Sequence, residues 1–202
     1  MVTIRRERKA DVAPREALLD VSYGPIRFSK TSERLREGRR PGLSFVAASG
    51  RRLVGTVRLW DVSAGPVRPA LLLGPLAVAP DCRKRGIGSA LVQVALREAA
   101  LAGHAAVLLV GDAPYYGRFG FSNEKTAALW LPGPYEPHRL LACELNPGAL
   151  DGARGLISAS GRPEQQPDLA ALVASLAGSE PTRKSPNAGP LCVPPPSQRP
   201  TT

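Results

Sequence analysis

The stretch from Leu71 to Ala102 limits what this chain can fold into more than any other part of it. It runs from an apolar segment, Leu71-Leu72-Leu73-Gly74-Pro75-Leu76-Ala77-Val78-Ala79-Pro80, through Asp81-Cys82-Arg83-Lys84-Arg85-Gly86-Ile87-Gly88, into a run from Ser89 to Ala102. Leu91, Val92, Ala95, Leu96 and Ala99 fall on one helical face, and Gly103 supplies the stop. The order is therefore strand, basic glycine-containing loop, helix. Ala105 to Val110 follows as a continuous apolar run, the mark of a strand buried on both faces. Two strands joined by a helix are expected to lie parallel through a right-handed crossover, with a cleft at their carboxyl ends.

The loop has an electrostatic consequence. The first helical turn carries N–H groups with no intrahelical partner, and the helix dipole makes that end positive. Gly86 and Gly88 let an anion approach the backbone, and Arg83, Lys84 and Arg85 add charge. Such a site suits a phosphate or diphosphate. The spacing is neither Gly-x-x-x-x-Gly-Lys-Ser/Thr nor Gly-x-Gly-x-x-Gly, which argues against a nucleoside-triphosphate loop and against a dinucleotide fingerprint. An ordinary connection with solvated basic residues is the alternative that this short pattern leaves open.

Arg83-x-x-Gly86-x-Gly88 resembles the Arg/Gln-x-x-Gly-x-Gly/Ala signature of GNAT-type N-acetyltransferases. A second element agrees. After the Ala105–Val110 strand comes Gly111-Asp112-Ala113-Pro114-Tyr115-Tyr116-Gly117-Arg118-Phe119-Gly120-Phe121, in which Tyr116-x-x-x-Gly120-Phe121 is similar to an element that closes many GNAT domains. The longer string resembles a bacterial subgroup of predicted N-acetyltransferases with Gly-Asp-x-x-Tyr-Tyr-x-Arg-Phe-Gly-Phe. One position departs from the family: an Asn common seven residues before that tyrosine is Leu109 here.

The resemblance implies an α+β fold, with a mixed, mostly antiparallel sheet of six to seven strands, helices on both faces and a V-shaped splay between two central parallel strands. It implies acetyl-CoA as co-substrate, held by Leu76, Ala77 and Val78 along the pantetheine arm and by Arg83, Lys84, Arg85, Gly86, Ile87, Gly88 and Ser89 around the diphosphate. The Val78 N–H would stabilise the oxyanion, and Tyr116 would act as general acid toward the departing thiolate. Transfer to a primary amine would be direct, in a ternary complex. A non-catalytic acyl-CoA-binding or RNA-contacting protein on the same fold is the alternative. No general base stands out; Glu33, Glu37, Glu136 and His138 are candidates.

Composition narrows the partners. The net charge of +10 invites nucleic acid, but aromatic residues, at 5 %, do not interleave with the arginine clusters. A solvated basic surface is expected, not a nucleic-acid partner. No apolar leader follows Met1 and no apolar run approaches the ~18 residues of a membrane span. A cytoplasmic protein, monomer or homodimer, is the expectation. The three cysteines, Cys82, Cys143 and Cys192, with only His104 and His138, have no metal-ligand spacing, so no metal is expected.

Elsewhere the pattern predicts a strand at Val2–Arg6, a helix from Asp11 as cap to Val21, and a polar helix from Ser29 to Glu37. A hairpin follows with strands at Leu43–Ala48 and Leu53–Trp60, then a loop over Val62–Arg68. Asp112 would cap a short helix that Gly120 ends. Ala127–Leu131 and Leu140–Leu145 would be the last strands, joined by a proline-stiffened loop containing Tyr135, Glu136 and His138. The acetyltransferase domain is expected over 1–150. A low-complexity, disordered tail is expected over 151–202, with a short helix at 168–177.

Overall fold

The computed structural model describes residues 1–164, which form one compact unit, Met1–Glu164. The expected helix at 168–177 lies outside the described residues. Within them, an eight-stranded sheet carries the spine β1 (Val2–Arg6), β2 (Leu43–Ser49), β3 (Arg52–Ala64), β4 (Pro69–Val78), β5 (Ala106–Val110) and β7 (Leu140–Glu144) in that order. β6 (Leu129–Trp130) pairs with β8 (Gly155–Ala159), and β8 with β3. Every pairing on the spine is antiparallel except β4 with β5. No described helix is long and apolar enough to cross a membrane.

Alternation along the strands divides the interior into two layers. Leu71, Leu73, Val57, Leu59, Val107 and Leu109 face α2 (Ile87–Leu101), which brings Leu91, Val92, Ala95 and Ala99 onto them, and Leu18 and Leu19 of α1 (Val12–Tyr23) join the same buried cluster. Ala70, Leu72, Trp60, Val62 and Leu108 face the other way, against Leu35, Leu129, Leu131, Leu150 and Ile157. The apolar stripe read from the sequence is thus the buried face of α2, although Leu96 is only partly buried.

β4 and β5 open the sheet. They pair only at Leu71–Val107 and Leu72–Leu108, while β4 runs on to Val78. Against β3, the β4 register steps from Leu73 opposite Leu59 to Leu76 opposite Val57, so β4 holds one extra residue at Gly74-Pro75. This bulge turns the strand away from β5. The Trp60 indole N–H fixes it by donating to the Gly74 carbonyl at 2.6 Å. The expected splay is therefore present.

Several expectations need correction. The sheet continues past Leu150: β8 pairs with Val62–Ala64, taking the place beside β3 that β2 leaves beyond Leu59. With that partner β3 extends to Ala64, where a loop was expected, and residues 151–164 belong to the compact unit. The Ser29–Glu37 helix is instead a pair of 3-10 turns, Pro25–Ser29 and Thr31–Leu35, interrupted by an extended Lys30. Its charged run gives a longer helix little apolar face to bury. Asp11 does not cap α1 with its side chain. Its carboxylate accepts from the Arg5 guanidinium at 2.6 and 2.8 Å and from the Arg8 N–H at 2.7 Å. Asp112 likewise serves α3 (Ala113–Tyr116) through its backbone carbonyl, which accepts from the Tyr115 and Tyr116 N–H groups.

Candidate functional site

Where the sheet opens, two cavities lie along the free part of β4. The larger, about 440 Å³, is lined by β4 from Leu72 to Leu76, by Val110 at the end of β5, by Tyr116, by the 3-10 segment after α1 and by the Pro134–Arg139 loop. The smaller, about 380 Å³, is lined by Val78, Cys82, Arg83, Lys84, Gly86, Ile87, Gly88, Ser89, Tyr115 and Arg118. The adjacent rings of Tyr115 and Tyr116 thus serve different cavities, as do Leu76 and Val78 two residues apart.

The backbone of β4 shows what its open edge offers. The Ala79 N–H donates to the Val54 carbonyl at 2.9 Å, so by strand alternation Ala77 also turns its polar groups toward β3. Those of Leu76 and Val78 turn toward the gap. Side chains confirm this: the Tyr23 hydroxyl donates to the Leu76 carbonyl, and Arg83 Nε to the Val78 carbonyl at 3.4 Å. The N–H groups of Leu76 and Val78 are left facing the gap. The Ala77 side chain, expected beside the coenzyme, is buried in the core.

The smaller cavity has the chemistry of an anion cradle. Lys84 (φ 62°) and Gly86 (φ 75°) both adopt left-handed backbone conformations, and Gly86 is the N-cap of α2. Such alternation turns successive N–H groups into one concavity, at the positive end of the helix dipole. The first intrahelical bond is Ala90 N–H to Gly86 carbonyl at 2.9 Å, which leaves the Ile87, Gly88 and Ser89 N–H groups without helical partners. Gly88 keeps the floor open: a Cβ there would stand 3.1 Å from the Tyr115 hydroxyl. The Ile87 side chain points into the core, so only its backbone can serve the cradle. Arg85, also expected there, is exposed and does not line the cavity.

Tyr116 sits in an aromatic nest, with ring centroids 4.9 Å from Tyr115 and 5.9 Å from Phe121. Its ring leans on Gly111, where a Cβ would lie 2.3 Å from the ring, so this approach requires glycine. Burial raises the pKa of its hydroxyl, with the nearby Tyr23 and Tyr115 adding to the effect. Leu109, at the position where an Asn was noted as absent, is buried in the core.

Of the expected bases, Glu33 and Glu136 line the larger cavity, whereas Glu37 and His138 do not. His138 is instead 3.3 Å from Glu136. Sequence reasoning passed over Tyr23, Lys30, Arg36 and Tyr115. Tyr115 carried a signal, as the first of the paired tyrosines; the others lie in a charged segment without periodicity.

Comparison with known proteins identifies the family. A family model described as "Acetyltransferase (GNAT) domain" matches residues 40–123. The crystal structure of the GNAT family N-acetyltransferase YhbS from Escherichia coli, solved in complex with CoA, superposes with a TM-score of 0.69 at 30 % identity, covering 78 % of this chain and 89 % of that one. The chain belongs to the GNAT family of N-acetyltransferases.

A GNAT acetyltransferase from Brucella melitensis, in complex with acetyl-CoA, is similar at a TM-score of 0.54 and 27 % identity, over 70 % of this chain and 95 % of that one. Among curated proteins, the uncharacterized N-acetyltransferase YjhQ of Escherichia coli (strain K12) is 33 % identical over 111 residues, 53 % of this chain and 61 % of that relative. The GNAT match at 40–123 holds β4, the cradle and Tyr116, but not Tyr23, Lys30 or Arg36.

Proposed function

We propose that this protein transfers an acetyl group from acetyl-CoA to an amine, by direct attack with both substrates bound. The observation that carries the reading is the pair of cavities flanking the free edge of β4. The smaller cavity takes the diphosphate on the N–H groups of Ile87, Gly88 and Ser89, with Arg83 and Lys84 adding charge. The pantetheine arm lies along β4, hydrogen-bonded by the Val78 N–H. The thioester reaches the larger cavity, where the amine enters.

Oxyanion stabilisation, expected from Val78, is better assigned to the Leu76 N–H. Leu76 shares the larger cavity with Tyr116, whereas Val78 lines the smaller one. The amine nitrogen bonds to the carbonyl carbon and sheds a proton. The carbon–sulfur bond breaks, and the sulfur leaves with the Tyr116 O–H hydrogen-bonded to it. A tyrosine with a raised pKa keeps its proton and so remains a donor throughout. Glu33 or Glu136 is within the same cavity to relay the amine's proton to solvent.

The test is thiol release from acetyl-CoA across a panel of amines, with mass detection of the acetylated product. Acetyl-CoA-dependent acetylation of an amine supports the reading. Tight acetyl-CoA binding with no transfer to any amine would favour a coenzyme-binding protein instead.

A further inference from the structure

The larger cavity has more positive than negative charge on its walls. Arg27, Lys30, Arg36 and Arg139 line it, against Glu33 and Glu136. Arg27 is neutralised from outside, by Glu16 at 2.7 Å and Asp20 at 2.9 Å. Arg139 lies 3.8 Å from Glu136, an exposed carboxylate that His138 also approaches. Two cations remain incompletely answered.

Arg36 is the more telling. The residue is only 7 % exposed, yet it borders the cavity. Its Nε donates to the Ser32 carbonyl at 3.1 Å; its Nη2 meets the Ser32 hydroxyl at 3.1 Å and Glu33 at 2.9 Å. Its Nη1 has no protein partner among the described residues. A guanidinium that lines the cavity with donor capacity to spare can be met there by an oxyanion. Lys30, unlike Arg36, has no carboxylate partner among the described residues; its ammonium lies 4.5 Å from the centroid of the Tyr23 ring. Partial desolvation of its ammonium at the cavity wall, and the neighbouring charges of Arg36 and Arg139, hold the Lys30 pKa below its ordinary value.

We propose that the acceptor is an amine that also bears an oxyanion, a carboxylate or its phosphonate equivalent, seated against Lys30 and Arg36, with its apolar body against Tyr135 and Leu131. This rests on the acetyl-transfer reading above and names its substrate class. The coenzyme's diphosphate has its own cradle in the other cavity, so these cations are left for the second substrate. The same field disfavours polycationic acceptors and lowers the pKa of an entering ammonium, which favours the nucleophilic free amine. The products are an N-acetylated acid and the CoA thiol: one N–C bond replaces one C–S bond, and the nitrogen's proton balances the sulfur's.

The experiment compares phenylalanine, its phosphonate analogue, phenylalanine amide, phenethylamine and spermidine as acceptors, with acetyl-CoA affinity measured separately by calorimetry. Phenylalanine, its phosphonate analogue, or both should exceed the amide and phenethylamine by roughly 10- to 100-fold in kcat/KM. Lys30→Met, at an exposed position that should not disturb folding, should erase most of that preference while acetyl-CoA affinity stays unchanged; Arg36→Met should do the same if it folds. Faster turnover of spermidine or of the uncharged-carboxyl analogues overturns the inference and leaves the enzyme reading standing, as does an unchanged preference in Lys30→Met. Acetyl-CoA binding without turnover of any of the five also overturns it. Absence of saturable acetyl-CoA binding overturns the enzyme reading itself, and this one with it.

Discussion

The Tyr23 hydroxyl donates a hydrogen bond to the Leu76 carbonyl, tying the last residue of α1 to the free edge of β4. The bond crosses the mouth of the splay and occupies the acceptor that Leu76 turns outward, leaving its N–H as the group on offer. Tyr23→Phe should leave the ring packed and remove the tether. A stability loss of about 1 kcal/mol in denaturant unfolding is expected. kcat should fall more than acetyl-CoA affinity, because Leu76 lines the larger cavity and the diphosphate is held in the smaller one.

Tyr116→Phe keeps the packing against Tyr115 and Phe121 but removes the only group that residue can give to a departing sulfur. kcat should fall roughly 100-fold with acetyl-CoA affinity preserved. Burial raises the Tyr116 pKa, so the protonated donor persists as pH rises. The kcat profile of the unmodified protein should therefore show no descending limb from this residue below pH about 10. Equal kcat in the two proteins would remove Tyr116 from the chemistry.

Gly88→Leu separates folding from binding, since the signature admits nothing larger than alanine here. Gly88 lies inside the first turn of α2, where leucine is a better helix former than glycine by up to ~1 kcal/mol. The added Cβ would stand 3.1 Å from the Tyr115 hydroxyl, the mobile end of a side chain, on the floor of the cradle. The melting temperature should hold while the leucine side chain fills the cradle and acetyl-CoA affinity drops at least about tenfold. Weakened folding with normal affinity would mean the floor is not used.

Acid stability should report the Arg5–Asp11 pair. The Arg5 hydrogen bond holds the Asp11 pKa down at about 2, from 3.8 for the free side chain. A lowered carboxylate pKa stabilises the fold above pH 3.8, and that contribution is lost as pH falls toward 2. Allowing for solvent screening, Asp11→Asn should remove about 1 kcal/mol at neutral pH and flatten the stability curve between those limits.

How much of this was legible in the sequence depended on whether a signal was local. α2, the cradle and the parallel β4–β5 pair follow from periodicity, glycine spacing and continuous apolar runs, all within some forty residues. The extension of β3 to Ala64 was not legible, because its partner β8 lies almost a hundred residues downstream in a stretch whose composition resembles a tail. The larger cavity was half legible. Tyr135 and Glu136 stood out in their proline-rich loop, whereas Tyr23 looked like a helix end and Lys30 and Arg36 like solvated charge. Only tertiary folding, through Thr31 donating to the Pro134 carbonyl and Arg34 to the Pro132 carbonyl at 2.7 Å, brings those two segments together. Asp11 and Asp112 show the limit of capping rules: the residue type was right, but arginine pairing in one case and the backbone in the other did the work.

The central claim is that the turn opening α2 holds a coenzyme diphosphate and directs its thioester along the free edge of β4. Calorimetric titration of the full chain with acetyl-CoA tests it most directly. The account predicts saturable binding of one molecule per chain, weakened by Gly88→Leu and unaffected by Lys30→Met. No saturable heat, or binding indifferent to Gly88→Leu, would contradict it.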